Sequence, residues 1–193
     1  MDIVIANQEL EANQEILEKI TLVRGDITAQ AVDAILAPVP HKQKLRSLLD
    51  IAVREVAGAV YAEAVDAATN DEKPGFCTMV AGGGLPAPHV LACVTPKWGG
   101  GFMGEDRVLS NCYESAILMA AEHGLRRVAV PIFLTGNHGY PKPRAVRIAV
   151  KAVLDSAVAE AFDELRFVAF KDDIYDLFED RLQRYGWGAE PQA

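Results

Sequence analysis

Two spacings of apolar residues alternate along this chain. Ile20 to Val23 and Val32 to Leu36 are short β-branched runs bounded by turn or polar residues, the signature of strands. Leu45, Leu48, Leu49, Ala52, Val53 and Val56 then recur at helical spacing and predict a helix over 44–60, with Tyr61 to Ala68 as a second. "NDEKPG" at 70–75 reads as a turn, and Phe76 to Ala81 and His89 to Val94 as two strands joined by "GGGLPAP". "PKWGGGFMGED" at 96–106 is a loop that its glycines make mobile. Val108 to His123 is a helix with Asp106 as N-cap and Gly124 as its stop. A strand over Val128 to Phe133, a helix from Pro141 to about Ala161, a strand over Phe167 to Phe170 and a helix over Asp172 to Tyr185 complete the series.

Strands alternating with helices define the α/β class. The strand pairs at 20–36 and 76–94 are too close for crossover helices, which predicts a mixed sheet. No repeat or linker interrupts 1–193, so one domain is expected. Residues 1–19 form an N-terminal extension with room for an edge strand and a helical turn. "GAEPQA" at 188–193 is a frayed tail.

Composition narrows the function classes. Half of the 193 residues are hydrophobic, enough for a substantial core. The net charge of −8 argues against a general basic surface for nucleic acid or an anionic membrane. A small anion can still be held by main-chain N–H groups. "MDIVIANQELEANQEILEKI" lacks the basic start of a signal peptide, and no run approaches the ~18 apolar residues of a membrane span. Cys77, Cys93 and Cys112 are an odd number in apolar segments, as expected of reduced thiols in a cytoplasmic protein. No metal-ligand spacing is present, so neither a metal nor a cofactor is expected.

Ligands of open α/β sheets sit at the carboxyl ends of strands. Three segments meet that condition: "VRGDIT" (23–28), "AILAPVPHKQKLRSLLDIAV" (34–53) and "TGNHGYP" (135–141). In the third, Gly136 and Gly139 permit positive φ or close approach, and Pro141 suits a first helical turn. The amides of 136–140 then form a nest for a phosphate, with the Tyr140 ring as a flat wall; an ordinary tight turn is the plainer alternative. Cys112 reads as core, and Trp98 as either a lid or a surface anchor. "AGGGL" (81–85) does not open a helix and so fails as a dinucleotide fingerprint.

"ITLVRGDIT…VDAIL" at 20–36 followed by "LTGNHGYP" at 134–141 resembles the macro domain, the ADP-ribose-binding module of the Appr-1''-p processing family. Leu85-Pro86-Ala87, "TPKWGGG" and "CYESAILMAAEHGLRRVAVP" (112–131) keep the order, and the likeness runs from Ile20 to Tyr185. It implies a three-layer α/β/α fold. It also implies that Asp26 accepts from the adenine amino group, with the Ile27 amide beside it. Thr135, Gly136, Asn137, His138, Gly139 and Tyr140 match the second phosphate loop, with His138 where an aromatic is common.

The departures fall at the chemistry. Ala37-Pro38-Val39-Pro40 stands where the family writes N-A-A-N, and Pro40 has no side chain to hold the distal ribose as the second asparagine does in hydrolysing members. "LRSL" (45–48) replaces four glycines and reads as helix, with Leu45 or Leu48 filling part of the groove. Asp50 aligns with an acid some hydrolases use and is the one candidate catalytic group, although Ile51 follows it in place of glycine. The expectation is therefore a divergent macro domain that binds ADP-ribose or a related nucleotide without hydrolysing it. The alternatives are a hydrolase or O-acetyl-ADP-ribose deacetylase acting through Asp50, and an interaction protein that has lost the nucleotide. Oligomeric state is not fixed by the sequence.

Overall fold

The computed structural model describes residues 14–43, 46–136 and 138–188. A helical segment at 14–18 (α1) precedes β1 (Ile20–Arg24), β2 (Ala34–Pro40), α2 (Leu48–Ala57), α3 (Ala59–Thr69), β3 (Cys77–Ala81) and β4 (His89–Thr95). Then follow α4 (Glu105–Glu122), β5 (Arg127–Pro131), α5 (Lys142–Leu154), β6 (Glu164–Ala169) and α6 (Asp172–Gln183). The six strands form one sheet in the order β1-β6-β5-β2-β4-β3. Every pairing is parallel except β3 with β4. One core joins Ile16 and Leu17 to the apolar faces of α4, α5 and α6; the other packs Val53, Ala57, Tyr61 and Val65 of α2 and α3 against the opposite face. This is the three-layer mixed α/β/α arrangement.

Of the two close strand pairs expected to make the sheet mixed, the one at 76–94 does so and the one at 20–36 does not. β1 and β2 do not pair; β6 and β5 lie between them, and only the β3–β4 hairpin is antiparallel. β2 also runs on through both of its prolines, every residue buried. Proline normally ends a central strand because it lacks a ladder donor. Here β5 pairs only with Ala34 and Ile35, while β4 follows β2 up to Pro40. Pro38 and Pro40 are two apart, so both omit a donor on the same side of the strand.

Local chemistry moved several boundaries. α2 starts at Leu48 because the Ser47 hydroxyl accepts from the Asp50 amide at 3.0 Å, and Gly58 (φ 89°) separates α2 from α3. Gly104, not Asp106, is the N-cap of α4, and Gly124 ends the helix at φ 68° as expected. α5 stops at Leu154, short of the expected 161. At the sheet edge, the Trp187 indole donates to the Ile20 carbonyl at 3.1 Å and covers β1. Residues 1–13 and 189–193 lie outside the described residues. Among the described residues no helix is long and apolar enough to cross a membrane.

The "GGGL" run is explained by contact with α2. Gly84 donates to the Ala57 carbonyl at 3.0 Å, and a Cβ on Gly83 would lie 2.1 Å from that same oxygen. Gly83 also holds φ +60°. Gly83→Ala is expected to cost about 2–3 kcal/mol in urea denaturation, whereas Gly136→Ala, with open space around it, stays within about 0.5 kcal/mol.

Candidate functional site

A hollow of about 290 Å³ opens at the carboxyl ends of β1, β6 and β5. Gly25, Asp26 and Ile27 enter it after β1, and Val168 and Phe170 at the end of β6. Pro131, Ile132, Leu134, Thr135 and Gly136 enter after β5. Leu48, Leu49 and Ala52 of α2 form one wall, and Lys142, Lys171 and Ile174 at the starts of α5 and α6 the other. The floor is therefore aliphatic, and the polar groups stand around the rim.

Asp26 caps a short 3₁₀ turn (Ile27–Ala29): its Oδ1 accepts from the Thr28 amide and hydroxyl, each at 2.8 Å. Its Oδ2 meets no donor among the described residues, and the Ile27 N–H meets no acceptor among them. Ile27 is buried, and a buried N–H normally finds a partner in protein, water or ligand.

The loop after β5 is fastened at both ends by tyrosines. At its start the Tyr113 hydroxyl donates to the Pro131 carbonyl (3.1 Å) and accepts from the Phe133 amide (2.9 Å), with the two rings stacked at 4.7 Å. At its end the Tyr140 hydroxyl donates to the Asp106 carboxylate, and the Tyr140 amide to the Leu134 carbonyl at 3.0 Å. Between them Leu134 takes φ 66°, a left-handed conformation that costs a non-glycine residue about 1–2 kcal/mol, and Gly139 takes φ 70° without strain. The Thr135 and Gly136 N–H groups have no acceptor among the described residues.

Of the residues singled out from sequence, the structure thus brings Asp26, Ile27, Thr135 and Gly136 into one hollow. His138 is half-buried at the turn and Gly139 shapes it, but neither lines the hollow. Asn137 lies outside the described residues. Tyr140 is buried and is an anchor, not a wall. Burial first, and then the Asp106 carboxylate, raise its pKa far above the usual phenol value. Trp98 is likewise packed on the Tyr140 ring at 4.3 Å instead of lying over the hollow.

Asp50 is fully buried away from the hollow. Its carboxylate accepts from Arg54 (2.8 Å) and Arg46 (3.3 Å), and Arg54 reaches on to Asp66 of α3 at 2.6 Å. Burial raises the Asp50 pKa, and the Arg54 and Arg46 guanidiniums oppose the rise. Residues 46 and 47 are not helical, and Leu48 is an exposed rim residue, so no helix crosses the hollow there; Leu45 lies outside the described residues. Burial pushes the Cys112 thiol up to about 12, which leaves it inert.

Sequence reasoning missed the Phe170 ring, 78% exposed on the rim, and the flanking Lys171 and Lys142. Their signal was positional: Phe170 closes an apolar run directly before a helix, where strand ends meet ligands.

The 96–104 loop is held where mobility was expected. The buried Glu105 carboxylate accepts from the amides of Gly99 (2.9 Å), Gly101 (3.1 Å) and Met103 (2.8 Å). Its own amide, and then those of Met103, Gly99 and Gly101, hold its pKa below the usual 4.5. A lowered folded-state pKa gives stability that is complete above the unfolded value and lost as pH falls through the folded one. The stability gap between the native chain and Glu105→Gln is therefore expected to be widest near neutral pH. It should narrow below about 4.5 in denaturation series; a gap unchanged with pH would contradict this role.

A model of the Macro domain family matches residues 43–149. The "Macro domain-containing protein in gbd 3'region" of Cupriavidus necator is 37% identical over 169 residues, covering 86% of this chain and 98% of that protein. The O-acetyl-ADP-ribose deacetylase of Escherichia coli K12 is 32% identical over 172 residues, covering 87% of this chain and 97% of the enzyme. The Trypanosoma brucei macrodomain solved in complex with ADP-ribose superposes with a TM-score of 0.75 at 31% identity, covering 86% of this chain and 69% of that one. With the fold, the ordered motifs and these relatives in agreement, this chain belongs to the Macro domain family.

Proposed function

We propose that this protein binds ADP-ribose or a closely related nucleotide in the hollow and does not hydrolyse it. One observation carries this reading: Asp26, Ile27, Thr135 and Gly136 line a single hollow beside an exposed aromatic, and Asp26 Oδ2 and the other three residues' N–H groups have no partners among the described residues. Phe170 stacks the base, Asp26 accepts from its amino group, and Ile27 donates to the ring. The Thr135 and Gly136 amides take the phosphates, as successive free N–H groups suit an anion. A relative at 31% identity is solved with ADP-ribose, which supports the ligand class.

Two features argue against turnover. Pro40 is buried and has no side-chain donor or acceptor for a distal ribose. The Asp50 carboxylate is held by two guanidiniums and does not line the hollow, whereas acid–base work needs a group within reach of the substrate. The second reading is deacetylation of O-acetyl-ADP-ribose through Asp50, favoured by the name of the Escherichia coli relative.

ADP-ribose at ~100 times its dissociation constant should add ~2.7 kcal/mol to stability, read as a raised melting temperature. By calorimetric titration, Phe170→Ala should weaken binding by about 1–3 kcal/mol and Asp26→Ala by a similar amount. An unmoved melt at millimolar ADP-ribose would replace this reading with that of an interaction protein. Acetate release from O-acetyl-ADP-ribose, lost in a folded Asp50→Asn variant, would establish the enzyme. Asp50→Ala is the poorer probe, because an orphaned Arg54 costs about 3–5 kcal/mol of stability.

A further inference from the structure

We infer that Asp173 is an internal competitor at the rim of the hollow: its carboxylate holds the Lys142 ammonium in an ion pair that an anionic ligand has to take over, and so lowers the affinity of the site. The inference rests on the nucleotide-binding reading above. Lys142 at the start of α5 and Lys171 directly before α6 both line the hollow. The Lys142 ammonium donates to the carboxylate of Asp173, in the first turn of α6. Asp173 does not itself line the hollow, so it acts on a ligand there through Lys142.

Charge gives the direction of the effect. A lone ammonium attracts a phosphate, whereas an ammonium beside a carboxylate is largely neutralised and presents a like charge to the incoming anion. The hydrogen bond from Lys142 is the chief reason the Asp173 pKa lies below its ordinary value, and the charge of Lys171 adds to it. Asp173 is therefore ionised at neutral pH, when the pair counts against an anion. The neighbouring Asp172 is engaged elsewhere, accepting from Arg24 at 3.0 Å.

Burial separates this pair from the other internal anion, Glu105. The Glu105 carboxylate is buried among the amides of Gly99, Gly101 and Met103, and parting it from them would strand buried donors. The Lys142 and Asp173 side chains are 40% and 53% exposed, so water screens their attraction and the pair is a weak one. Lysine also carries its charge on a long flexible stem. Lys142 can thus exchange Asp173 for a phosphate at Thr135 and Gly136, which line the same hollow.

Calorimetric titration of the full chain with ADP-ribose, run as a double-variant cycle, tests this. Asp173→Asn, which keeps the side-chain shape, is expected to tighten binding at least about twofold, the scale of an exposed ion pair. In a Lys142→Met background the same substitution is expected to change affinity by less than about 1.5-fold, because the pair it breaks is already gone. Melting curves establish that each variant is folded. A gain below about twofold in the native background, or a loss, would overturn the inference while leaving nucleotide binding intact. A gain of about 1.5-fold or more without Lys142 would overturn it too, since Asp173 would then act by its charge alone. Binding by neither the native chain nor Asp173→Asn would sink the nucleotide reading itself.

Discussion

The hydrogen bond from the Tyr140 hydroxyl to the Asp106 carboxylate is the tie on which the site depends. It fastens the far end of the loop after β5 to the first turn of α4, and Arg144 of α5 closes on both oxygens of the same carboxylate at 2.8 Å. Tyr113, also from α4, fastens the near end. With both ends held by one helix, the intervening backbone can keep the left-handed Leu134 that an unrestrained chain would relax, with Thr135 and Gly136 lining the hollow.

The same loop end also reaches the 96–104 segment, through Trp98 against Tyr140. That segment is glycine-rich, yet Glu105 gives its amides an internal anion. Two similar-looking glycine loops thus have opposite fates. One has its N–H groups satisfied by a side chain; in the other, the Thr135 and Gly136 N–H groups meet no acceptor among the described residues. Glycine content alone does not separate the two, because both need the same backbone freedom.

On the opposite wall, α2 is set by charge. Asp50, Arg54 and Asp66 join α2 to α3 behind the hollow while Leu48, Leu49 and Ala52 line it. Asp50, the acid that the resemblance offered as a catalytic candidate, is hydrogen-bonded to Arg54 and Arg46 in this wall. Removing it would test the wall before it tested any chemistry.

The sequence by itself determined the α/β class, the order of the elements, the stop at Gly124 and the two strand-end segments that meet in the hollow, because each follows from local periodicity or backbone freedom. Only the tertiary structure decided which strands are neighbours, since pairing β1 with β6 depends on contacts across nearly the whole chain. It also decided that β2 runs through Pro38 and Pro40, where β4 still follows it and β5, paired only at Ala34 and Ile35, does not. It turned Tyr140 inward and Phe170 outward, and gave the Gly99 and Gly101 amides to Glu105. Burial and hydrogen-bond partners are properties of packing between distant segments, and no local pattern encodes them.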